Sequence, residues 1–184
     1  MKANPYATGV LTPELHERMV TNLERFADDA NIVPDWIWTP LGTVCGPAEV
    51  DWVDRFKFHP GDKVFGLAYV GWNPDPPVED RMAAIAGALI RHFINARVMT
   101  VHRLIDAANE GAVPDVSCLL IPNFFLGASD MPSWRVSLLF DALLHRHGLG
   151  VRTVVYASDL QAMGSRYGAA LQRHIETHYT LLEV

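Results

Sequence analysis

The sequence lacks several features, and each absence excludes a class of protein. Its 184 residues include only two cysteines, Cys45 and Cys118, which lie far apart in the chain. Cys118 falls in an apolar run, where a cysteine is usually a small hydrophobic residue, and we expect both thiols to be reduced. No apolar run approaches the roughly 18 residues that a membrane-spanning helix needs. The first ten residues lack the apolar core of a signal peptide, so we expect a cytoplasmic protein.

An excess of positive charge is also absent. The formal net charge is −6, which argues against a general affinity for nucleic acid. Hydrophobic residues make up 49% of the chain, as in a globular protein. One local basic cluster remains a candidate DNA-binding patch, and it consists of Arg91, His92, Arg97, His102 and Arg103.

From residue 61 onward, apolar strands alternate with amphipathic helices. The predicted strands are "KVFGLAYVG", "RVMTV", "VSCLLI" and "VRTVVYAS". This alternation predicts parallel βαβ units, and the near-continuous apolar strands suit a sheet that is covered on both faces. We predict a three-layer α/β domain over 61–184 with a five-stranded parallel sheet. Its fifth strand is the tail "YTLLEV" or a segment before Gly61.

Residues 1–60 differ in pattern and predict an extension packed on that domain. Thr12 is a suitable N-cap and Pro13 a suitable first residue for one helix. The expected apolar stripe of this helix is Leu15, Met19, Leu23 and Phe26. The following segment is rich in proline and aromatic residues, which is typical of an ordered connector.

Three tryptophans in this connector have two interpretations. Trp36, Trp38 and Trp52 either cover one edge of the core or form a partner-binding surface. The second interpretation rests on the enrichment of tryptophan at interaction hot spots.

The order of these segments resembles the helicase-loader branch of the AAA+ ATPases, the DnaC/IstB-like proteins. "GLAYVG" is similar to the first strand and the start of the phosphate loop, and "VSCLLIPNFFLG" falls where that family has its Walker B strand. "WRVSLLFDALLHRHGLGVRTVVYASDL" resembles the next helix and the strand that ends at sensor 1, and "SRYGAALQRHI" resembles the arginine-finger region. The resemblance implies a P-loop NTPase-like fold with strand order 5-1-4-3-2.

The sequence departs from this family where the nucleotide binds. A phosphate loop needs G-x-x-x-x-G-K-[ST], with backbone N–H groups and a lysine for the phosphates and a hydroxyl for magnesium. Here the segment is "VGWNPDPPVEDRM", in which only Gly71 remains and Val78 and Glu79 stand where lysine and the hydroxyl belong. No lysine occurs after Lys63. The acids of this segment would repel a triphosphate.

The other two nucleotide-contacting positions are altered as well. Pro122 and Asn123 occupy the places of the two Walker B acids, and neither can act as a base for water. Ser158 and Asp159 stand at sensor 1, where the family usually has a neutral amide. We expect Pro122 and Phe124 to cap the strand end, and Trp72 to be buried in the altered loop. The lysine, the hydroxyl, the metal ligand and the base are thus all missing. Together these losses predict that the protein neither binds nor hydrolyses Mg-ATP and needs no cofactor.

These features favour a non-catalytic pseudo-ATPase that acts as a protein-interaction adaptor. The resemblance implies a role in DNA replication, recombination or transposition, with an AAA+ ATPase or a replicative helicase as partner. It also suggests Arg166 and Arg173 as arginine fingers that act on a neighbouring subunit, beside the simpler interpretation of a solvated helix face. A DNA-binding accessory protein and a small-molecule enzyme on a related sheet are the alternatives.

Histidines near the C-terminus are weak candidates for metal ligands. His174 and His178 are four residues apart, but the sequence identifies no third ligand, so we predict a polar surface and no metal site. His145, Arg146 and His147 end a predicted helix, where cationic side chains interact favourably with the helix dipole.

Overall fold

A computed structural model describes residues 4–58, 66–72, 74–127 and 131–184, with side chains given as far as Phe56 in the first range. Within these residues the chain forms one parallel sheet. The strands are β1 (Gly66–Val70), β2 (Ala96–Val98), β3 (Cys118–Phe125), β4 (Arg152–Ala157) and β5 (Tyr179–Glu183). Their order is β2-β3-β4-β1-β5. The predicted parallel five-stranded sheet with order 5-1-4-3-2 is therefore confirmed, and its fifth strand is the tail.

Helices cover both faces of this sheet. The helices of the domain are α5 (Val78–Arg91), α6 (Val101–Asn109), α7 (Ser133–Gly148), α8 (Leu160–Tyr167) and α9 (Ala169–His178). Alternate strand residues point to opposite layers: Ala68 packs with α6 to α9, whereas Leu67 and Tyr69 pack with α5. The fold is thus the predicted three-layer α/β arrangement, and its strands are apolar on both sides.

Strand β3 continues past the Pro-Asn pair where we expected it to end. Pro122 and Phe124 are buried within the strand, so the prediction that they cap its end is wrong. The pairing of β3 with β4 is irregular between Ile121 and Phe125. Proline donates no backbone hydrogen bond, and such an irregularity is where a central strand tolerates it.

The N-terminal segment forms four described α-helices and one 3-10 turn. They are α1 (Pro13–Thr21), α2 (Leu23–Ala30), α3 (Asp35–Trp38), the 3-10 turn Leu41–Thr43 and α4 (Pro47–Phe58). The prediction of a single helix after Thr12 is therefore wrong, because the helix is interrupted at Asn22 and divides into α1 and α2. Of the expected stripe, Met19 is buried in α1, but Leu15 of the same helix is 70% exposed and Phe26 of α2 is 36% exposed.

Backbone contact joins this segment to the core. The backbone of Trp36 lies directly against Gly87 in α5, where any side chain would collide with it. Arg91 is buried at the end of α5 and donates hydrogen bonds to the carbonyls of Ile37 and Thr39 (3.4 and 2.9 Å). Its burial lowers the pKa of Arg91 to about 10. Arg91 therefore serves attachment and does not belong to a basic surface patch.

Two large apolar residues near the ends of helices lie outside the core. Helix α5 ends at Arg91, and Phe93 follows in the left-handed region (φ 60°) with 68% of its surface exposed. Leu144 of α7 is also exposed, whereas Leu139 and Leu143 of the same helix are buried. No helix among the described residues combines the length and apolar character needed to cross a bilayer.

Candidate functional site

The residues at the predicted nucleotide-binding positions meet at the carboxyl end of the sheet. Gly71 follows β1, Gly127 lies shortly after β3, and Ser158 follows β4. The carboxyl ends of parallel strands are where α/β sheets usually bind ligands. The predicted positions Gly71 and Ser158 thus lie at the same edge of the sheet, and their descent from a nucleotide site stays a prediction.

The loop that resembles a phosphate loop is organised by an arginine of the protein itself. Arg81 in the second turn of α5 donates Nε to the carbonyl of Pro76 (3.1 Å) and Nη2 to that of Asp75 (2.9 Å). These loop carbonyls point at an internal cation, whereas a phosphate loop turns its N–H groups toward an anion. The described part of the loop therefore has the polarity of a cation site, and Arg81 occupies it.

Arg81 is held in turn by a buried carboxylate from the N-terminal segment. Its Nη1 donates to Glu49 Oε1 at 2.8 Å, and the Glu49 side chain is only 3% exposed. Glu49 also accepts hydrogen bonds from the Tyr69 hydroxyl (3.0 Å) and the Gly46 backbone N–H (2.6 Å). A buried ion pair of this kind is tolerated because further hydrogen bonds satisfy the charge.

This network also perturbs its neighbours. Burial, with a smaller effect of Glu49, raises the pKa of the Cys45 thiol to about 12, and the same two causes raise the pKa of Tyr69. Glu49 was not among the site residues predicted from the sequence. One local signal existed, because the glycine-proline start of α4 with a glutamate three residues after the glycine resembles a capping box.

The residues at the phosphate-loop positions have other structural roles. Gly71 (φ 143°) lies so close to the Val184 backbone that no side chain would fit, and its carbonyl accepts a hydrogen bond from the Tyr156 hydroxyl (3.0 Å). Val78, at the lysine position, is buried in the core. Glu79, at the hydroxyl position, is exposed. The pKa of Tyr156 is raised mainly by the burial of its own hydroxyl and, to a smaller extent, by the charge of Glu79.

The polar residues at the Walker B and sensor positions cap helices. Asn123 Oδ1 accepts the Val101 N–H at 2.9 Å, at the start of α6. Asp159 accepts the N–H groups of Gln161 and Ala162 (2.8 and 2.9 Å) at the start of α8. Ser158 is buried, and its hydroxyl has no hydrogen-bond partner among the described residues. Both capping side chains are therefore already engaged by backbone groups.

The tryptophans divide differently from the prediction. Trp52 is buried and packs edge-on against Phe56, so it does not belong to an exposed partner surface. Trp36 and Trp38 are half-buried against the core, and their contact with a partner stays a prediction. Trp72 is 63% exposed, which makes the prediction of a buried Trp72 wrong. The loop is short and held from inside by Arg81, so the tryptophan ring faces outward.

The remaining candidates are arginines of α8, α9, β2 and α6. Arg166 on α8 and Arg173 on α9 are both exposed, and their action on a neighbouring subunit stays a prediction. Two arginines of the predicted basic patch, Arg97 and Arg103, line one surface groove, but its lining also contains acids. These acids are Asp28, Asp106 and Glu110.

A cluster of Arg146 and three histidines lies at the amino end of the sheet. His145, Arg146 and His147 end α7 as predicted, and Arg146 is 1% exposed. His174 is buried, so the prediction of a polar surface there is wrong. The rings of His147, His174 and His178 lie against one another, with centroids 4.4–5.3 Å apart. Among the residues that the structure describes, no group of three or more histidine, cysteine or acidic side chains could hold a metal ion.

Comparison with known proteins identifies the fold as that of the AAA+ P-loop helicase loaders. Among solved structures, the DnaC helicase loader is 18% identical with a TM-score of 0.59, over 74% of this chain and 86% of that one. DnaI is 17% identical with a TM-score of 0.60, over 83% and 94% of the two chains. No known protein family and no curated protein matches the sequence.

A larger replication protein shares the fold as well. The replication initiator DnaA, bound to AMPPCP and single-stranded DNA, is 9% identical with a TM-score of 0.61. The match covers 78% of this chain and about half (49%) of DnaA. At these identities the likeness concerns the fold alone.

Proposed function

We propose that the protein is a non-catalytic pseudo-ATPase that serves as a protein-interaction adaptor. Its role is helicase-loader-like or that of a subunit in an AAA+ assembly, in DNA replication, recombination or transposition. Its partner is an AAA+ ATPase or a replicative helicase. The fold supports the class of process, and the composition of the former nucleotide site supports the absence of catalysis.

The observation that carries this proposal is the contact between Arg81 and the loop carbonyls. A bound triphosphate needs N–H donors and a cationic side chain at this point. The carbonyls of Asp75 and Pro76 are instead turned to Arg81, and the guanidinium is neutralised by Glu49. A phosphate that approached this loop would meet carbonyl oxygens and carboxylates.

Surface charge and metal chemistry support the same conclusion. Asp75, Glu79 and Asp80 are exposed at the loop and the first turn of α5. Two like charges 4 Å apart repel by about 4 kcal/mol near a protein surface. Neither proline nor a capping asparagine replaces the two acids that would hold magnesium and activate water.

The alternative of DNA binding would need a continuous basic surface, which the predicted basic patch does not form. Arg91 is buried, and Arg97 and Arg103 share their groove with acids. A small-molecule enzyme would be favoured by a strand order other than 5-1-4-3-2. The observed order is 5-1-4-3-2, so it does not favour this alternative.

The direct test of the proposal is calorimetry and thermal melting with Mg-ATP. We expect no binding heat and no rise in melting temperature at millimolar nucleotide, because only a ligand that binds the folded state raises it. The variant with Pro122→Asp and Asn123→Glu is expected to remain without ATPase activity, since the loop is unchanged. Micromolar affinity for ATP that is lost on substitution of residues 73–79 would contradict the proposal.

A further inference from the structure

The outer side of the altered loop carries an apolar and acidic surface, which we call the Trp72 face. It consists of Trp72, Leu126, Asp75, Glu79 and Asp80. Trp72 is 63% exposed and Leu126 is 49% exposed, so two large apolar side chains face solvent here. The three acids are exposed as well.

Several contacts place these residues at the same point of the sheet edge. The Trp72 ring lies over Gly127, where an added Cβ would meet ring atom Cη2 at 3.1 Å, and Leu126 directly precedes that glycine. Burial and then Glu79 raise the pKa of Tyr156, whose hydroxyl is hydrogen-bonded to the carbonyl of Gly71, the neighbour of Trp72. Asp75, Glu79 and Asp80 are exposed on the loop and the first turn of α5 that follow Trp72 in the chain.

The face is held in place from beneath. Arg81 binds the backbone of Asp75 and Pro76, and its own position is fixed by the buried Glu49. A surface that is ordered before binding loses less conformational freedom when a partner binds. The loop is thus suited to recognition without rearrangement.

One polar group under the face has an unused bonding capacity. Ser158 is only 3% exposed, and its buried hydroxyl has no hydrogen-bond partner among the described atoms. It lies 3.6 Å from the same Gly127 Cβ position that the Trp72 ring approaches. A buried hydroxyl without a partner is uncommon, because its desolvation is then uncompensated.

We propose that the Trp72 face binds a segment of a partner protein in which an arginine or lysine adjoins an apolar side chain. A cation is attracted to the face of an indole ring and to carboxylates, three of which are exposed on this loop and the first turn of α5. The apolar neighbour of that cation covers Leu126. The same carboxylates repel nucleic acid and other phosphate-bearing ligands. This inference rests on the proposed adaptor function and names the surface and the chemistry of its partner.

The test uses two synthetic peptides with blocked ends. One has the sequence Gly-Arg-Leu-Arg-Gly, and the other carries citrulline, a neutral analogue of similar shape, in place of both arginines. Binding is followed by NMR through the indole N–H signal of Trp72, which is assigned with Trp72→Phe. We expect the arginine peptide to shift this signal in a saturable way, and the citrulline peptide to bind at least about five-fold more weakly because it lacks the cation.

A matched pair of charge variants locates the binding. Asp75→Asn, Glu79→Gln and Asp80→Asn combined should weaken the arginine peptide by about five-fold or more. The control variant combines Glu14→Gln, Glu17→Gln and Glu24→Gln, three exposed acids of α1 and α2, and removes the same net charge. It should leave the affinity nearly unchanged.

Four results would overturn the inference. They are equal binding of both peptides, equal loss in both charge variants, a Trp72 shift with oligothymidine or tripolyphosphate, and self-association that Trp72→Ala abolishes. Failure here is separable from failure of the adaptor proposal. Absent peptide binding together with absent ATP binding removes only the Trp72 face, whereas Mg-ATP binding removes the proposed function itself.

Discussion

The two ends of the sheet handle polar side chains in opposite ways. At the carboxyl end, Asn123 and Asp159 cap helices locally, and the largest apolar ring, Trp72, faces solvent. At the amino end, the charged Arg146 and the ring of His174 are buried. The carboxyl end of the sheet thus leaves a large apolar side chain open to solvent, whereas the amino end buries charged and ionisable groups.

The largest effect is expected at the amino end, on removal of Arg146. Its guanidinium donates to the carbonyls of Pro114, Val116 and Arg152 and to the Thr153 hydroxyl at 2.8–3.2 Å. Arg146→Met leaves these buried acceptors unsatisfied, and we expect the free energy of unfolding to fall by about 3–5 kcal/mol. Urea denaturation followed by circular dichroism measures this loss. The control is Arg173→Met on the exposed face of α9, and equal small losses in both variants would contradict the contrast between the two ends.

The next effect is expected at the carboxyl end, where one pair departs from its open character. Glu49→Gln keeps the size of the side chain but removes the charge that faces Arg81, and we expect a loss of about 2–3 kcal/mol. Because the two residues form one network, the variants Glu49→Gln and Arg81→Met should not be additive when combined. A double-mutant cycle by urea denaturation tests this coupling. Additive losses would show that the ion pair does not hold the loop.

Acidification should weaken the amino end selectively. Burial, followed by His178 and His147, lowers the pKa of His174 to about 4 from the ordinary value of 6.5. The unfolded chain therefore binds more protons than the folded one between these values, so stability falls as the pH drops from about 6.5 to 4. We expect a loss of about 1–2 kcal/mol, less than the full linkage value because His178 remains partly open to solvent.

The measurement for the histidine cluster is unfolding by urea at several pH values. The His174 ring also lies against the rings of Phe140 on α7 and Tyr179 at the start of β5. The charged residues next to the cluster in sequence are Arg146, which precedes His147, and Arg173 and Glu176, which lie beside His174 on α9. His174→Phe should flatten the profile between pH 6.5 and 4, whereas substitution of the exposed His102 should not. A slope that persists in His174→Phe would assign the pH dependence to other groups.

A smaller effect distinguishes a capping role from a catalytic one at Asn123. Asn123→Ala removes the acceptor for the Val101 N–H, and the loss of one helix cap lowers stability by about 1 kcal/mol. Asn123→Asp keeps an acceptor oxygen at the helix N-terminus, so its stability should be preserved. Thermal melting compares the two variants. An alanine variant as stable as the wild type would leave the polar residue at this position without a structural explanation.

The sequence predicted the sheet well because its signals are local. Each apolar strand and its following helix can be recognised within about 30 residues, and the pairing order came with the family resemblance. The Glu49–Arg81 pair could not be predicted in the same way, since it joins residues 32 positions apart. The position of Arg146 at a helix end was predicted, but its burial was not, because only the tertiary arrangement places four acceptors around it.

The smallest effect is expected for Trp72, and it separates a tryptophan that binds from a tryptophan that packs. Trp72 is 63% exposed, so Trp72→Ala should change the free energy of unfolding by no more than about 0.5 kcal/mol. Trp52 is 8% exposed and its ring lies 5.3 Å from that of Phe56, so Trp52→Ala should cost about 3–5 kcal/mol. Urea denaturation of the two variants measures the difference directly, with the same residue type removed from each place. A large loss in Trp72→Ala would mean that the ring stabilises the loop over Gly127 and is not held outward for a partner. A small loss that accompanies loss of peptide binding is the outcome that the open carboxyl end predicts, because there the indole contributes to recognition and little to folding.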